Sequence, residues 1–221
     1  MTSEKYIYLY GAGGHANVIR EVLEGAGFTL KGVFDDNPSQ AKIRGIKVED
    51  GILALGESFP TLDAPMIISV GSNFRRSELV KILKTEYGLA IHCSAIISPS
   101  ASIGEGSVVL HGAIVQAGTR IGAHVLVNTA ASIDHDNVIE DYAHVSPHAT
   151  LCGHVHVGEG THIGAGASVI PCIRIGKWCK IGAGSVVIRD VPDFSTAVGN
   201  PARVIHTGSS PAPADRKQDG D

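Results

Sequence analysis

A histidine that stands between two acids is the sequence's best candidate for proton transfer. His135 lies between Asp134 and Asp136, at the end of the segment 128–136. Imidazole takes up a proton near neutral pH, and a neighbouring carboxylate can orient the ring and stabilise its cationic form. The pattern predicts that His135 is a general base oriented by Asp136 or Asp134. From these residues alone, a solvated histidine at a turn explains the pattern as well.

A second candidate site is the glycine-rich segment 11–16, Gly-Ala-Gly-Gly-His-Ala, which follows an apolar segment and precedes a helical pattern. With the acids Asp35 and Asp36 further on, it fits the fingerprint of a dinucleotide-binding loop. Its amides and helix N-terminus would hold the pyrophosphate of any nucleotide. Residues 1–90 supply only about half of a full dinucleotide fold, so a nucleotide-linked ligand is favoured over NAD. Tight glycine packing without a ligand, and a solvated turn at Asp35 and Asp36, remain open.

The elements that must position these groups follow from a repeat of six residues. From Ile97 to Val187 every sixth residue is Ile, Val or Leu, and a second column four residues later is mostly small. Neither a helix nor a flat strand has this period, whereas a parallel β-helix does. Three hexads make one coil, so residues 18 apart stack about 4.8 Å from each other. The repeat predicts about five coils.

The composition agrees with a narrow aliphatic prism. Glycine occurs 27 times in 221 residues, and aromatic residues make up only 5%. The net charge of −4 and the absence of a basic run exclude a protein that follows a nucleic-acid backbone. No apolar stretch is long enough to span a membrane. The polar N-terminus and four cysteines without a CxxC pair indicate a cytoplasmic protein with free thiols.

Strand-like and helical patterns alternate in the first part of the chain. Apolar strands are predicted at 5–10, 31–34 and 66–70, with helices from about 14 to 24 and from 75 to 86. This alternation predicts a small parallel βαβ, half-Rossmann-like domain, so the fold class is α/β plus β. We expect the βαβ domain at 1–92, a β-helix domain with its C-terminal cap at 93–206, and a disordered tail at 207–221.

Two features resemble known families. The hexad signature and the closing segment 198–204, Val-Gly-Asn-Pro-Ala-Arg-Val, resemble the hexapeptide-repeat acyltransferases, which implies a left-handed β-helix. A βαβ half-domain that begins with G-x-G-G-H and is fused to such repeats resembles the bacterial N-acetyltransferases of nucleotide-linked 4-amino-4,6-dideoxy sugars. The bacillosamine and perosamine enzymes belong to this family, and sialic-acid O-acetyltransferases are its relatives.

The resemblance implies substrates, an assembly and binding residues. The N-terminal domain would bind a nucleotide-linked amino sugar, and the β-helix would form a homotrimer and bind acetyl-CoA, without a metal. The implied sugar-nucleotide residues are Gly13, Gly14, His15, Asp35 and Asp36, with weaker support for Ser72 and Asn73. Asn128 matches a substrate-contacting asparagine of the family, although an asparagine at a coil edge is commonly structural.

The same resemblance assigns the catalytic and acetyl-CoA residues. It singles out His135 and its acid as the catalytic pair, and we expect His135, oriented by Asp136, to be the base. Gly153 lies 18 residues further on, where its backbone N–H could serve as an oxyanion donor. His144 matches the histidine that holds the thioester arm. The later coils would bind the rest of acetyl-CoA, at Gly164, Ala165, Gly182 and Ala183, with Lys177, Lys180 or Arg203 as phosphate partners.

Alternatives to this hypothesis are of three kinds. His144 stacks on His162, and with His154 and His156 nearby a metal site is conceivable, although no third ligand in register is evident. O-acetylation of a sugar needs nearly the same motifs as N-acetylation. A non-catalytic β-helix that only binds nucleotides would not need the histidine–acid pair. The nucleotide base and the sugar's configuration are not determined by the sequence.

Overall fold

The N-terminal part of the protein is built around a parallel sheet. The structure, a computed structural model, describes residues 5–210 except 42 and 44. Its first strands are β1 (Lys5–Tyr10), β2 (Phe28–Asp35), β3 (Val48–Asp50) and β4 (Met66–Ile68), all parallel and in the spatial order β3-β2-β1-β4. The predicted strands are present, and β3 is an addition. Its Val-Glu-Asp sequence lacks an apolar run because it lies at the edge of the sheet.

Helices connect these strands. They are α1 (Gly14–Gly25), the single turn α2 (Ile52–Leu55) and α3 (Asn73–Ile82), with 3-10 turns at Pro38–Gln40 and Gly56–Ser58. α1 buries Ala16, Ile19, Val22 and Leu23, the spacing of one helix face. α3 begins at Asn73, before the predicted position, because the Ser72 hydroxyl accepts a hydrogen bond from the N–H of Arg75 and caps the helix.

The second part of the protein is a left-handed parallel β-helix. Each hexad contributes a strand of only two residues, whose second residue is the inward aliphatic side chain of the repeat. The repeat begins one hexad earlier than the sequence analysis placed it, at Ile91. The strands β5 to β21 are Ala90–Ile91, Ile96–Ile97, Ser102–Ile103, Val108–Val109, Ile114–Val115, Arg120–Ile121, Leu126–Val127, Ser132–Ile133, Val138–Ile139, His144–Val145, Thr150–Leu151, His156–Val157, His162–Ile163, Ser168–Val169, Arg174–Ile175, Lys180–Ile181 and Val186–Val187.

These strands form three sheets that enclose the prism. Strands three apart in sequence pair in parallel with a shift of 18 residues, for example His144 with His162. β6, β9, β12, β15, β18 and β21 form the six-stranded sheet, and β7, β10, β13, β16 and β19 form the five-stranded sheet. The remaining eight-stranded sheet ends with β22 (Ser195–Gly199) and the antiparallel β23 (Ala202–Thr207).

The prism interior is filled by the predicted aliphatic column. Side chains such as Val127, Ile133 and Val145 have no exposed surface. Each such burial contributes about 1.5–3 kcal/mol of transfer free energy. Small residues at the second column, such as Ala131 and Ala149, allow neighbouring columns to meet at the corners. The expected exclusion of aromatic rings from this cluster is therefore observed among the residues that the structure describes.

The N-terminal domain packs on the outside of the eight-stranded sheet. An apolar cluster joins Ile7 and Leu9 of β1 and Leu23 of α1 to Val108 and Leu126 of the β-helix. The position of the site-bearing loops over this sheet is therefore fixed by a shared core as well as by the chain connection.

A buried arginine closes the same junction. Arg76 of α3 has no exposed surface, and its guanidinium donates to the carbonyl oxygens of Val70 (3.0 Å), His124 (2.9 Å) and Tyr142 (2.8 Å) and to Oδ1 of Asn73 (2.9 Å). Burial lowers the pKa of Arg76 to about 9. The sequence analysis missed this residue, although Arg76 shares a helix face with the buried Leu79 and Leu83.

The last described strand includes the first residue of the predicted tail, because β23 ends at Thr207. Residues 208–210 follow this strand, and the rest of the predicted tail, 211–221, lies outside the described residues. The four cysteines Cys93, Cys152, Cys172 and Cys179 form no disulfide. Among the described residues, no helix is long and apolar enough to cross a membrane.

Candidate active site

His135 and Asp136 lie on the turn between β12 and β13, where the six-stranded and five-stranded sheets meet. Nδ1 of His135 is 2.9 Å from Oδ2 of Asp136. Asp134 makes a different contact, since its Oδ1 accepts a hydrogen bond of 2.8 Å from the backbone N–H of His135. Asp136, the expected orienting acid, therefore contacts the ring, and Asp134 shapes the turn.

The charges of this pair reinforce each other. The hydrogen bond to Asp136 raises the pKa of His135, and the same bond lowers the pKa of Asp136. A carboxylate on Nδ1 keeps the proton on that nitrogen and leaves the Nε2 lone pair free to accept another. The arrangement can thus take a proton from an incoming nucleophile at Nε2.

Gly153 lies against the other side of the His135 ring. A Cβ atom placed at Gly153 would be 2.6 Å from Nε2 of His135, so only glycine leaves room for the ring in this position. Among the described residues, no acceptor is found for the N–H of Gly153. A free amide in the residue that packs against the base is the group expected of an oxyanion donor.

His154 is a neighbour that the sequence analysis did not connect to His135. Its Nε2 is 3.7 Å from Oδ2 of Asp136, and its ring meets the His135 ring edge-on at 5.2 Å. The sequence contained a signal, because 154 is 136 plus 18. His156, which the analysis grouped with His154, instead contacts Glu140 (2.7 Å) and Arg174 (2.6 Å).

His144 lies on the eight-stranded sheet, stacked on His162 with ring centroids 4.7 Å apart. Nε2 of His144 is 3.1 Å from Nδ2 of Asn128, an amide nitrogen that can only donate, so the ring proton of the neutral His144 is on Nδ1. Burial lowers the pKa of His144 well below its usual value, with further contributions from His162 and Arg76. His144 is therefore a neutral hydrogen-bond donor.

Asn128, expected at the substrate, is engaged within the protein. Its Oδ1 accepts a hydrogen bond of 2.8 Å from the N–H of Thr129, while its Nδ2 binds His144. The amide therefore orients His144, a role that the sequence pattern alone did not indicate. Ser146 contacts Nε2 of His162 at 2.7 Å in the same way.

The glycine-rich loop has the open geometry of a ligand site. Gly13 and Gly14 are exposed at the start of α1, and nothing lies within 4 Å of a Cβ placed at either residue. Asp35 supports the loop from below, because its carboxylate accepts hydrogen bonds of 2.7 Å from the N–H groups of Ala12 and Asn37. An anion can therefore bind to the backbone amides of the loop at the N-terminus of α1.

Asp36 is tied to its own domain. Its carboxylate binds Arg75 at 2.7 Å, the hydroxyl of Tyr10 at 2.5 Å and the N–H of Leu53 at 3.1 Å. Burial and the bond to Asp36 raise the pKa of Tyr10 above its usual range. Asp35 and Asp36 thus both form hydrogen bonds to neighbouring segments of the domain, and neither is a freely solvated turn residue.

Three further sequence-predicted residues are Ser72 and Asn73 at the start of α3 and His15 in the glycine-rich loop itself. Ser72 caps α3, and Nδ2 of Asn73 donates to the carbonyl oxygen of Gly160 at 3.0 Å. Nε2 of His15 is buried and has no hydrogen-bond partner among the described residues. Burial, and secondarily the charge of Arg76, lowers the pKa of His15 to about 4. A buried polar atom without a partner is expected where a ligand supplies one.

The expected acetyl-CoA residues lie in the later coils, at turns that lead from the eight-stranded sheet to the six-stranded sheet. Gly164 and Gly182 are packed tightly, since a Cβ at either would approach neighbouring atoms to 2.8 Å or less. Ala165 and Ala183 are exposed beside them. Of the candidate phosphate partners, Lys177 lies over the Phe194 ring, Arg203 donates to the carbonyl of Ala202, and Lys180 pairs with His162 in the sheet register.

The two halves of the predicted site do not meet within one chain. His144 and the glycine-rich loop belong to the eight-stranded sheet and the domain packed on it. His135 and Gly153 lie at the opposite edge of the prism, where the other two sheets join. A ligand bound at one half is therefore separated from the other half of the same chain by the prism.

Comparisons with known proteins agree with both parts of the fold. Residues 6–83 match the PglD N-terminal domain family, and residues 154–189 match the bacterial transferase hexapeptide family of six repeats. The O-acyltransferase of Stutzerimonas stutzeri that acts between acyl-[acyl-carrier-protein] and UDP-N-acetylglucosamine is 35% identical over 107 residues, which are 45% of this chain and 42% of that protein. The chain thus spans less than half the length of this curated relative.

Solved structures resemble nearly the whole chain. The acetyltransferase domain of PglB from Neisseria gonorrhoeae is 35% identical, with a TM-score of 0.83 over 91% of this chain and 100% of that one. Perosamine N-acetyltransferase from Caulobacter crescentus, solved with CoA and GDP-perosamine, is 34% identical, with a TM-score of 0.83 over 93% and 99% of the two chains. WeeI from Acinetobacter baumannii is 26% identical with a TM-score of 0.78, and 91% and 100% of the two chains are covered. The chain belongs to the family of hexapeptide-repeat acyltransferases that includes the PglB acetyltransferase domain and perosamine N-acetyltransferase.

Proposed function

We propose that the protein transfers the acetyl group of acetyl-CoA to the 4-amino group of a nucleotide-linked 4-amino-4,6-dideoxy sugar. The observation that carries this proposal is the His135 ring, which is hydrogen-bonded to the Asp136 carboxylate and packs against Gly153. The similarity to two acetyltransferases over more than 90% of the chain supports the donor, and the GDP-perosamine complex of one of them supports the acceptor class.

The mechanism is direct attack of the sugar amine on the thioester carbonyl. As the C–N bond forms, Nε2 of His135 takes a proton from the amine, and Asp136 stabilises the imidazolium through Nδ1. The carbonyl oxygen becomes an oxyanion, which the N–H of Gly153 stabilises. The tetrahedral intermediate then expels CoA as a thiolate, and the proton held by His135 can neutralise it.

The nucleotide is held by the N-terminal domain. The open amides at Gly13 and Gly14 bind the diphosphate at the positive end of α1. The buried Nε2 of His15, in the same loop, gains a partner from the bound ligand. Asp35 and Asp36 hold the loop and the neighbouring chain in place through the contacts described above.

The complete site forms between subunits of a homotrimer. His135 and the nucleotide domain lie on opposite sides of the prism, so a sugar bound to one subunit reaches the base of its neighbour. Cyclic symmetry then generates three equal sites, each with one base and one nucleotide domain. His144, turned to donate from Nδ1, contributes to acetyl-CoA binding on the face of the eight-stranded sheet.

The base assignment is tested with His135→Asn and a panel of UDP-, GDP- and dTDP-linked amino and hydroxyl sugars. The wild-type protein should acetylate an amino sugar, and His135→Asn should lower kcat by about 10²–10⁴-fold, the usual contribution of a general base. His148→Asn is the control, because His148 is another exposed histidine at a turn of the β-helix. A His135→Asn enzyme with wild-type kcat would refute the base, and transfer to hydroxyl sugars alone would refute N-acetylation.

The shared site is tested by mixing two inactive variants. His135→Asn lacks the base, and His15→Ala alters the nucleotide domain of the other half-site. If neighbouring subunits share each site, randomly co-assembled trimers should regain about a quarter of wild-type activity. Co-assembled trimers that remain as inactive as the separate variants would place the whole site within one chain.

A further inference from the structure

Three metal-ligating groups converge at the corner that carries the base. His135, Asp136 and His154 each offer one ligand atom, and these atoms all lie within 4.8 Å of one another. Nδ1 of His135 is 2.9 Å and Nε2 of His154 is 3.7 Å from the same oxygen, Oδ2 of Asp136. All three side chains are about half exposed, so an ion from solution can reach them.

These separations suit a small tetrahedral ion. Zinc binds imidazole nitrogen and carboxylate oxygen at about 2.0–2.2 Å, which places neighbouring ligand atoms about 3.3–3.5 Å apart. These two distances lie on either side of this value, and the third pair of ligand atoms is at most 4.8 Å apart. Shifts of the exposed side chains by about 1.5 Å or less therefore bring all three atoms to zinc-binding distance. Two imidazoles and one carboxylate favour zinc over magnesium or calcium, which prefer oxygen ligands alone.

The backbone presents these side chains in a fixed way. Asp136 and His154 have left-handed backbones, with φ of 57° and 60°, and occupy equivalent positions on successive coils. The N–H of His154 donates to the carbonyl oxygen of His135 at 3.0 Å, which holds the two coils in register. The ligand positions are therefore set by the prism itself, and the three side chains need only small rotations to meet an ion.

We propose that His135, Asp136 and His154 form a Zn²⁺ site that inhibits the enzyme. The metal takes the Nδ1 lone pair of His135 and displaces its hydrogen bond to Asp136. A neutral imidazole bound to a metal through Nδ1 carries its proton on Nε2, so Nε2 can no longer accept one from the sugar amine. The inhibitory consequence rests on the proposed base role of His135, whereas the binding of zinc does not.

Zinc binding is measured first, by calorimetry with ZnCl₂ alone and the full chain. The parent protein for this test is the Cys93→Ser, Cys172→Ser variant, because both thiols are free and exposed and thiolates are zinc ligands. It should bind one Zn²⁺ per chain, and His154→Gln in the same background should bind at least tenfold more weakly. His148→Gln, which removes an exposed corner histidine elsewhere, should bind as the parent does. Equal affinities in His154→Gln and the parent would overturn the site.

Inhibition is measured next, with chromatography of the sugar product as a readout that avoids thiol reagents. ZnCl₂ should inhibit the parent at concentrations near its Kd, and EDTA should restore the rate. Each variant is compared with its own metal-free rate, and His154→Gln should need at least tenfold more zinc. Tight, His154-dependent binding that leaves the rate unchanged would overturn the inhibition. A protein that binds zinc in this pattern but acetylates no sugar would refute only the proposed function.

Discussion

The ring of His135 occupies the space that a side chain at residue 153 would need. A Cβ atom at Gly153 would lie 2.6 Å from Nε2 and 2.7 Å from Cε1 of the ring. The two residues are 18 apart, so the contact repeats the coil-to-coil stacking of the whole prism. The base, its free lone pair and the neighbouring N–H are thus brought together by the helical repeat itself.

Gly153→Ala should reduce kcat by at least about tenfold with little loss of stability. The backbone of Gly153 has no left-handed φ, so alanine fits the chain, and the new methyl group displaces only the exposed ring of His135. Steady-state kinetics and thermal unfolding of the same samples check this. Displacement of a general base and crowding of an oxyanion donor each cost about 10²-fold or more when complete.

Gly25→Ala is the matched control for that substitution. Gly25 ends α1, has no left-handed φ, and a Cβ there meets nothing within 4 Å. Both kcat and the unfolding temperature should therefore stay near wild type. A Gly153→Ala enzyme with the kcat of the Gly25→Ala control would contradict the proposed position of the reaction.

Asp136→Asn and Asp134→Asn should differ sharply although the two acids flank the same histidine. Asp136 binds Nδ1 of the ring, and its amide replacement no longer stabilises the imidazolium, so kcat should fall by about 10²-fold or more. Asp134 accepts only from the backbone N–H of His135, which an asparagine oxygen also does, so kcat should fall less than about tenfold. Equal losses in the two variants would show that Asp136 has no special role at the ring.

Arg76→Ala should lower the free energy of unfolding by at least about 3 kcal/mol. The substitution leaves the Asn73 side chain and carbonyl groups of both domains without a donor, and losses of this kind in buried charged networks are of that size. Urea unfolding followed by circular dichroism measures the loss. Lys81→Ala, at an exposed position of the same helix, should cost less than about 0.5 kcal/mol.

Stability should fall as the pH is lowered from about 6.5 to about 4. Burial lowers the pKa of His15 and of His124 to about 4, from a usual value of 6.5. In this window the unfolded chain binds protons that the folded protein does not, so the stability present above pH 6.5 is progressively lost. Each histidine should cost about 1–2 kcal/mol between pH 7 and pH 5.

His124→Phe separates this effect from general acid denaturation. His124 packs between Tyr87 and Tyr142, with ring centroids at 4.4 Å and 5.6 Å, and a phenyl ring keeps these contacts without a titrating nitrogen. The difference in unfolding free energy between pH 7 and pH 5 should therefore be smaller in the variant than in the wild-type protein. An unchanged difference would mean that His124 is not buried in its neutral form.

The sequence by itself determined the prism, because its period of six requires only that aliphatic residues recur. The column from Ile97 to Val187 was enough to predict the stacking of Gly153 on His135, and the close packing of the ring against Gly153 follows from it. The strands, α1 and the glycine-rich loop were also predicted, because local apolar patterns and glycine spacing specify them. The edge strand β3 was missed, since a solvated edge needs no apolar pattern.

Only the tertiary structure decided which groups touch. Asp136 and Asp134 flank the same histidine, and the conformation of one turn places the Asp136 carboxylate at the ring and the Asp134 carboxylate at the backbone. In the sequence, Arg76 has the pattern of a surface charge. In the structure the junction of the two domains buries it, and its guanidinium donates to carbonyl groups 48 and 66 residues away. The sequence pattern also did not indicate that His135 lies at the edge of the prism opposite the N-terminal domain. The choice between the two acids depends on the conformation of a single turn. The burial of Arg76 and the placement of His135 depend on contacts between segments far apart in the chain, which no local pattern encodes.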